Sequence, residues 1–227
     1  MQTFLKEQGE NAEFKERILR NVIVIGSGGH AKVILDIIEK SGDKVLGILD
    51  KNRLRGECVL GYPVIGSEMD NTDEFVKDNN YFVIGIGDNC KRRNKAEMLA
   101  LPWYTAIHPS AIIGKSVEIG EGTVVMANAV INPNAKIGCH CIVNTAASID
   151  HDVTLKNYVH VSPNAAIAGK ASIGEECHIG IGVSVIDNIS ICEKVQIGAG
   201  AAVIEDIRIP GVYVGVPVHR IKKWQKG

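Results

Sequence analysis

The sequence predicts two joined folds: an α/β Rossmann-like βαβαβ domain, then a left-handed parallel β-helix of the hexapeptide type. Three observations carry this reading. From Ile107 to Val203 every sixth residue is Ile, Val or Leu, without interruption. The residues two places before these aliphatics, from Ala111 to Ala201, are all small or β-branched. Ahead of the repeat, the apolar run Val22-Ile23-Val24-Ile25-Gly26 opens into Gly26-Ser27-Gly28-Gly29-His30-Ala31 and a helical pattern.

Residues 1–21 are charged throughout and lack the apolar core of a signal peptide, so they read as an extension, at most a short extra helix with no assigned role. The run 22–26 is a buried parallel strand. Lys32 to Lys40 carries Val33, Ile34, Ile37 and Ile38 on one helical face. Lys44 to Asp50 and Tyr81 to Gly87 read as further strands, and Asn89 to Leu99 as a second helix. Gly61-Tyr62-Pro63-Val64-Ile65-Gly66 reads as a turn-rich connector. These elements form a domain over residues 22–104. Gly26-x-Gly28-x-x-Ala31 is a variant of the dinucleotide fingerprint, placed between strand and helix so that backbone approaches a phosphate at a helix N-terminus. The domain is too short for a full dinucleotide fold, which favours a nucleotide or nucleotide sugar. Without a Walker lysine-serine pair, ATP hydrolysis is not expected.

A period of six fits neither a helix nor a simple alternating strand. It fits a short strand plus a tight corner. Three such units close a triangular coil of about 18 residues, with the large aliphatic inside and the small residue in the corner. Six of the aliphatics are followed directly by glycine, at 114, 120, 138, 174, 180 and 198, read as relief for strained backbone at turns. The β-helix is expected over 105–206, with no long loop extruded, followed by a tail over 207–227. A prism filled with aliphatics has no pocket of its own, so a site must lie outside it, in a groove between neighbouring prisms.

Composition narrows the function. With 25 basic and 26 acidic side chains, net charge −1, the chain lacks the basic excess of a general nucleic-acid binder. No run of about 18 apolar residues spans a membrane. With no secretory signal, the six cysteines read as reduced thiols of a cytoplasm. Cys139-His140-Cys141 has the wrong spacing for a zinc site, and no metal is expected.

The opening Ile25-Gly26-Ser27-Gly28-Gly29-His30-Ala31-Lys32, the hexapeptide repeats and the ending Gly215-Val216-Pro217-Val218 resemble one family over about residues 22–221: the sialic acid O-acetyltransferases and nucleotide-aminosugar N-acetyltransferases of bacterial surface-sugar pathways. The resemblance implies a homotrimer with acetyl-CoA as co-substrate and sites at subunit interfaces. The family's catalytic histidine falls in a segment matching Ile149-Asp150-His151-Asp152-Val153. This implies His151 as general base, a role suited to an imidazole that titrates near neutrality. The family often has Glu after this histidine; Asp152 stands here, able to orient the imidazole. His160, Ile181, Gly215 and Pro217 are implied along the coenzyme. Gly169, one coil of eighteen residues after His151, should stack beside it and offer its N–H to the thioester oxygen. The nucleotide sugar is expected at Gly26, Ser27, Gly28, Gly29, His30, Asp50, Lys51 and Gly87. His160 and His178, eighteen residues apart, should stack.

The reading is direct acetyl transfer to the amine of a nucleotide-linked amino sugar in glycan biosynthesis; the alternative is O-acetylation of sialic acid or its nucleotide form. Two further readings keep the prism: a metal-dependent hydratase using His151, His160 and His178, and a non-catalytic sugar-nucleotide binding module. Lys222, Lys223 and Trp224 read as a solvated tail.

Overall fold

The computed structural model describes residues 19–67, 73–77 and 80–221. Residues 1–18 and 222–227, including Lys222, Lys223 and Trp224, lie outside the described residues. The first domain runs β1 (Asn21–Ile25), α1 (Gly29–Lys40), β2 (Lys44–Leu49), β3 (Cys58–Val59), β4 (Tyr62–Gly66), α2 (Asp73–Lys77), β5 (Tyr81–Ile84) and α3 (Asn89–Met98). Its sheet has the order β3-β4-β2-β1-β5. The central strand β1 is parallel to both β2 and β5, and Val22 to Ile25 are fully buried. A strand covered on both sides has no solvent face, hence its unbroken apolar run.

One sequence expectation changes in this domain. Within the connector, Tyr62–Gly66 is a strand: β4 pairs antiparallel with β3 and parallel with β2. Gly47 of β2 makes this possible, because a Cβ there would lie 2.9 Å from the Pro63 carbonyl oxygen. The pattern Gly-Tyr-Pro read as a turn because Pro63 lacks an N–H, yet a strand tolerates that loss near a sheet edge. The domain is therefore more than βαβαβ.

The second domain is a parallel β-helix. Seventeen strands, β6 to β22, run from Ala106–Ile107 to Ala202–Val203, and every one pairs with its equivalent eighteen residues away. The inward aliphatics and the small corner residues form one continuous buried core from Val125 to Ile207. Three faces result. A docking face carries the outward residues Ala106, Val124, Ile142, His160, His178 and Gln196; a second face carries Ile112 to Ala202; a third carries Glu118 to Ser190.

The corners do not use the six predicted glycines. Backbone with φ near +60° falls three residues after each inward aliphatic from Ile113 to Ile197, as at Asn134, Asp152 and Lys170. Asn and Gly occupy many of these positions because they enter the left-handed region at least cost. The glycines directly after the aliphatics serve close approach instead: a Cβ on Gly120 would sit 2.6 Å from the Cys139 nitrogen in the next coil. Residues 207–221 are not a tail either. β23 (Gly211–Val214) and β24 (His219–Ile221) continue the docking-face sheet past the last coil. Among the described residues, no helix is long and apolar enough to cross a membrane.

The docking face seats the first domain. Ala106, Val124 and Ile142 share an apolar core with α1. Arg92 of α3 is 1% exposed and reaches across the junction. Its Nε donates to the His140 carbonyl at 2.8 Å; its Nη atoms donate to Ile86, Gly87 and Tyr158 carbonyls and to Asn89 Oδ1 at 2.9–3.2 Å. All five N–H donors are used, which offsets the cost of burying the guanidinium. Burial still lowers its pKa to about 10.

Candidate active site

His151 sits in the corner between the second and third faces. Asp150 Oδ1 accepts the His151 backbone N–H at 2.8 Å and the Asn132 side-chain N–H at 2.9 Å. His151 Nδ1 donates to Asp152 Oδ2 at 2.8 Å. An ionised carboxylate only accepts, so this bond places a proton on Nδ1 and, in the neutral ring, leaves Nε2 as the basic nitrogen. The hydrogen bond from His151 holds the Asp152 carboxyl below the usual carboxylate range. The imidazole is about half exposed, at 53%. The shorter acid at 152 thus reaches the ring directly.

Gly169 stands where its stacking was expected. A Cβ on it would lie 2.8 Å from both Cε1 and Nε2 of His151, so only glycine leaves the ring its place. Its N–H has no acceptor among the described residues. The repeat explains why. One coil earlier Asp150 caps the corresponding N–H of His151; the equivalent of Asp150 in the next coil is Ala168, which has no side-chain acceptor. A buried glycine beside the His151 ring therefore carries a backbone N–H with no acceptor.

The residues expected to hold the nucleotide sugar converge. Gly26, Ser27, Gly28, Gly29, His30, Asp50, Lys51 and Gly87 all line one cavity of about 590 Å³ over the N-terminus of α1. The loop lies close to the sheet because Gly85 meets Ala31: a Cβ at Gly85 would be 2.6 Å from that of Ala31. Ala31 is the last position of the fingerprint, and its small size lets the helix N-terminus approach. Ser27 Oγ donates to Asp50 Oδ2, and Arg53 Nε donates to Ser27 Oγ at 2.9 Å. Burial pushes the Asp50 carboxyl up, but the bonds from Ser27 and the Asn52 amide outweigh it and hold it low. Burial, then Arg92, pushes His30 down to about 4, and its Nε2 is buried without a partner.

His160 and His178 stack on the docking face as their spacing predicts, with ring centres 4.6 Å apart and planes 3° from parallel. Asn144 meets His160 Nε2 at 3.1 Å, and Ser162 meets His178 Nε2 at 2.9 Å. Burial, then His178, pushes His160 down to about 2, so it is a neutral imidazole. Both rings line a cleft of about 930 Å³ between α3 and the docking face. That cleft shares Gly87 and Asn94 with the cavity over the N-terminus of α1. It also shares His160, His178 and Gln196 with a groove of about 380 Å³ that holds Ile181. Gly215 and Pro217 lie apart, in the turn between β23 and β24. His151 and Gly169 occupy a different corner of the same chain from His160 and Ile181. No three His, Cys, Asp or Glu side chains among the described residues are grouped to hold a metal ion. His140 instead packs against Tyr158 and Trp103 as an interior aromatic.

The sequence reading did not reach Arg92, Asn89 or the cleft. The polar helix α3 gave no apolar stripe to suggest that one arginine is buried.

Residues 21–99 match the PglD N-terminal domain family. The chain is 39% identical over 117 residues to the UDP-N-acetylbacillosamine N-acetyltransferase of Bacillus subtilis; the match covers 48% of this chain and 52% of that protein, so it spans about half the length of this curated relative. Solved structures match further. A perosamine N-acetyltransferase from Caulobacter crescentus, a histidine-to-asparagine mutant in complex with CoA and GDP-perosamine, is 34% identical, with a TM-score of 0.83 over 91% of this chain and 99% of that one. The acetyltransferase domain of PglB from Neisseria gonorrhoeae, in complex with acetyl coenzyme A, is 34% identical, with a TM-score of 0.84 over 89% of this chain and 100% of that one. With near-complete overlap at this identity, the chain belongs to the family of β-helical sugar N-acetyltransferases that carry a PglD-type N-terminal domain.

Proposed function

We propose that the protein is an acetyl-CoA-dependent N-acetyltransferase acting on the amino group of a nucleotide-linked amino sugar in bacterial surface glycan assembly, with His151 as general base. The observation that carries this is the pairing at one corner of a tethered imidazole, its Nε2 free, with the unpaired N–H of Gly169. A binding module has no use for that pairing. The relatives acting on or binding perosamine and bacillosamine nucleotides support an amine acceptor.

The chemistry follows from the geometry. The acceptor amine attacks the thioester carbonyl carbon, and its proton passes to His151 Nε2. Asp152, already hydrogen-bonded at Nδ1, stabilises the imidazolium that forms. Negative charge collects on the former carbonyl oxygen, where the Gly169 N–H donates. The C–S bond breaks, and the departing sulfur takes the proton back from Nε2. An amide and free CoA thiol remain.

The docking face, with its nucleotide cavity, and the His151 corner lie on different sides of one prism. A complete site then takes its nucleotide cavity and Ile181 groove from one subunit and its His151–Gly169 corner from the next. Closed threefold symmetry repeats this three times. The test is thiol release from acetyl-CoA against UDP-, dTDP- and GDP-linked 4-amino-4,6-dideoxy sugars, with sialic acid alongside. Turnover with one nucleotide amino sugar and an N-acetyl product supports the reading. Turnover with sialic acid alone replaces it with O-acetylation; no turnover with any acceptor leaves a binding module.

A further inference from the structure

The corner that holds His151 rests on the coil before it. Residues eighteen apart stack, so Asn132 lies beneath Asp150 and Asn134 beneath Asp152. Both contacts are made. Asn132 Nδ2 donates to Asp150 Oδ1 at 2.9 Å, and Asn134 Nδ2 donates to Asp152 Oδ1 at 3.3 Å. Asp150 and Asp152 in turn take the backbone N–H and the ring Nδ1–H of His151. Each side of the histidine is thus tied through a carboxylate to an asparagine one coil below.

Asn134 and Asp152 both stand at the left-handed corner position, with φ of 62° and 61°. Their side chains therefore leave the coil in the same direction, one above the other. Asp152 has one carboxylate oxygen for Asn134 and the other for His151. Lys170 stands one coil above in the same column, and its charge acts on the same carboxylate. Without the bond from below, the carboxylate is free to turn towards Lys170 and away from the ring. Asparagine suits the lower position: its amide donates without adding charge beside the base.

We infer that Asn134 is a positioning residue for the transfer reaction, acting through Asp152 to aim His151, with Asn132 fixing the backbone of the same corner through Asp150. This rests on His151 being the base.

The test is a double-mutant cycle with the full chain and its preferred nucleotide amino sugar. Asn134→Ala is expected to lower kcat about ten-fold, a fraction of what a positioned base contributes, with both KM values unchanged and Tm lowered only by the modest cost of alanine at a left-handed φ. In an Asp152→Ala background, Asn134→Ala should change kcat no further, since its effect passes through that carboxylate. An equal loss in both backgrounds, a loss seen in KM or Tm alone, or no loss at all overturns the inference. His151→Asn separates the two levels. If it stays active, the base assignment itself fails; if it is inactive while Asn134→Ala is silent, only the positioning role fails.

Discussion

Replacing Gly169 by alanine adds one methyl group against the His151 imidazole. The new Cβ would lie 2.8 Å from Cε1 and Nε2 and 3.3 Å from Nδ1 of His151. Comfortable contact between such atoms begins near 3.5 Å, so the ring must retreat by about 0.7 Å. The Nδ1 bond to Asp152, now 2.8 Å, then stretches or bends beyond useful hydrogen-bond geometry. A displacement on the order of 1 Å at a reacting group costs about 10²-fold in rate. The ring is 53% exposed and can move into solvent, so the fold should not suffer. Steady-state kinetics on Gly169→Ala should therefore show kcat reduced about 10²-fold, with KM values for both substrates within about a factor of three and Tm unchanged. A kcat within about threefold of wild type would refute the reasoning, because the clash follows directly from the stacked corners.

Other predictions concern different parts of the molecule. Ala168→Asp should cap the Gly169 N–H as Asp150 caps that of His151, keeping the fold and lowering kcat by about 10²-fold, whereas Ala168→Ser should lose less. Arg92→Met leaves the carbonyls of His140 and Tyr158 without their donor and should cost about 4 kcal/mol in chemical denaturation, with a raised KM for the nucleotide sugar as the Ile86–Gly87 loop loosens. His30 and His160, pushed down to about 4 and about 2, stay neutral when folded but protonate near 6.5 when unfolded. The unfolded state then binds more protons below pH 6.5, so their contribution to stability is intact above 6.5 and declines as pH falls. At pH 5 each should cost about 2 kcal/mol, visible as a falling Tm that His160→Asn partly relieves. Mixing His151→Ala subunits with subunits blocked at the nucleotide cavity by Ser27→Trp should recover activity if sites form between chains; equal inactivity in the mixture contradicts shared sites.

Much of this architecture was legible in the chain. The six-residue step placed every prism strand, and counting by eighteen placed Gly169 against His151 and His160 against His178. The fingerprint residues converged on one cavity because they share a strand-to-helix turn. What escaped depended on contacts that no period announces. Pro63 hid a strand because sheet register, set by the missing side chain of Gly47, decides whether proline is tolerated. Arg92 is one cation in a polar helix, and only the carbonyls at His140 and Tyr158 reveal why it is inside. The glycines after the inward aliphatics looked like turn residues, yet the left-handed positions fall two residues later. Ala168 carried a readable signal: aligning the coils sets it against Asp150 and shows an N–H left uncapped.

The measurement that tests the central claim most directly compares wild type with His151→Asn, using acetyl-CoA and the preferred nucleotide amino sugar. Calorimetry should show both ligands binding to the variant with affinities close to wild type. Thiol release should fall by about 10³-fold or more, the share a general base supplies. Turnover near the wild-type rate with binding intact would contradict the account, and would move the base away from the corner that Asp152 and Gly169 build around this imidazole.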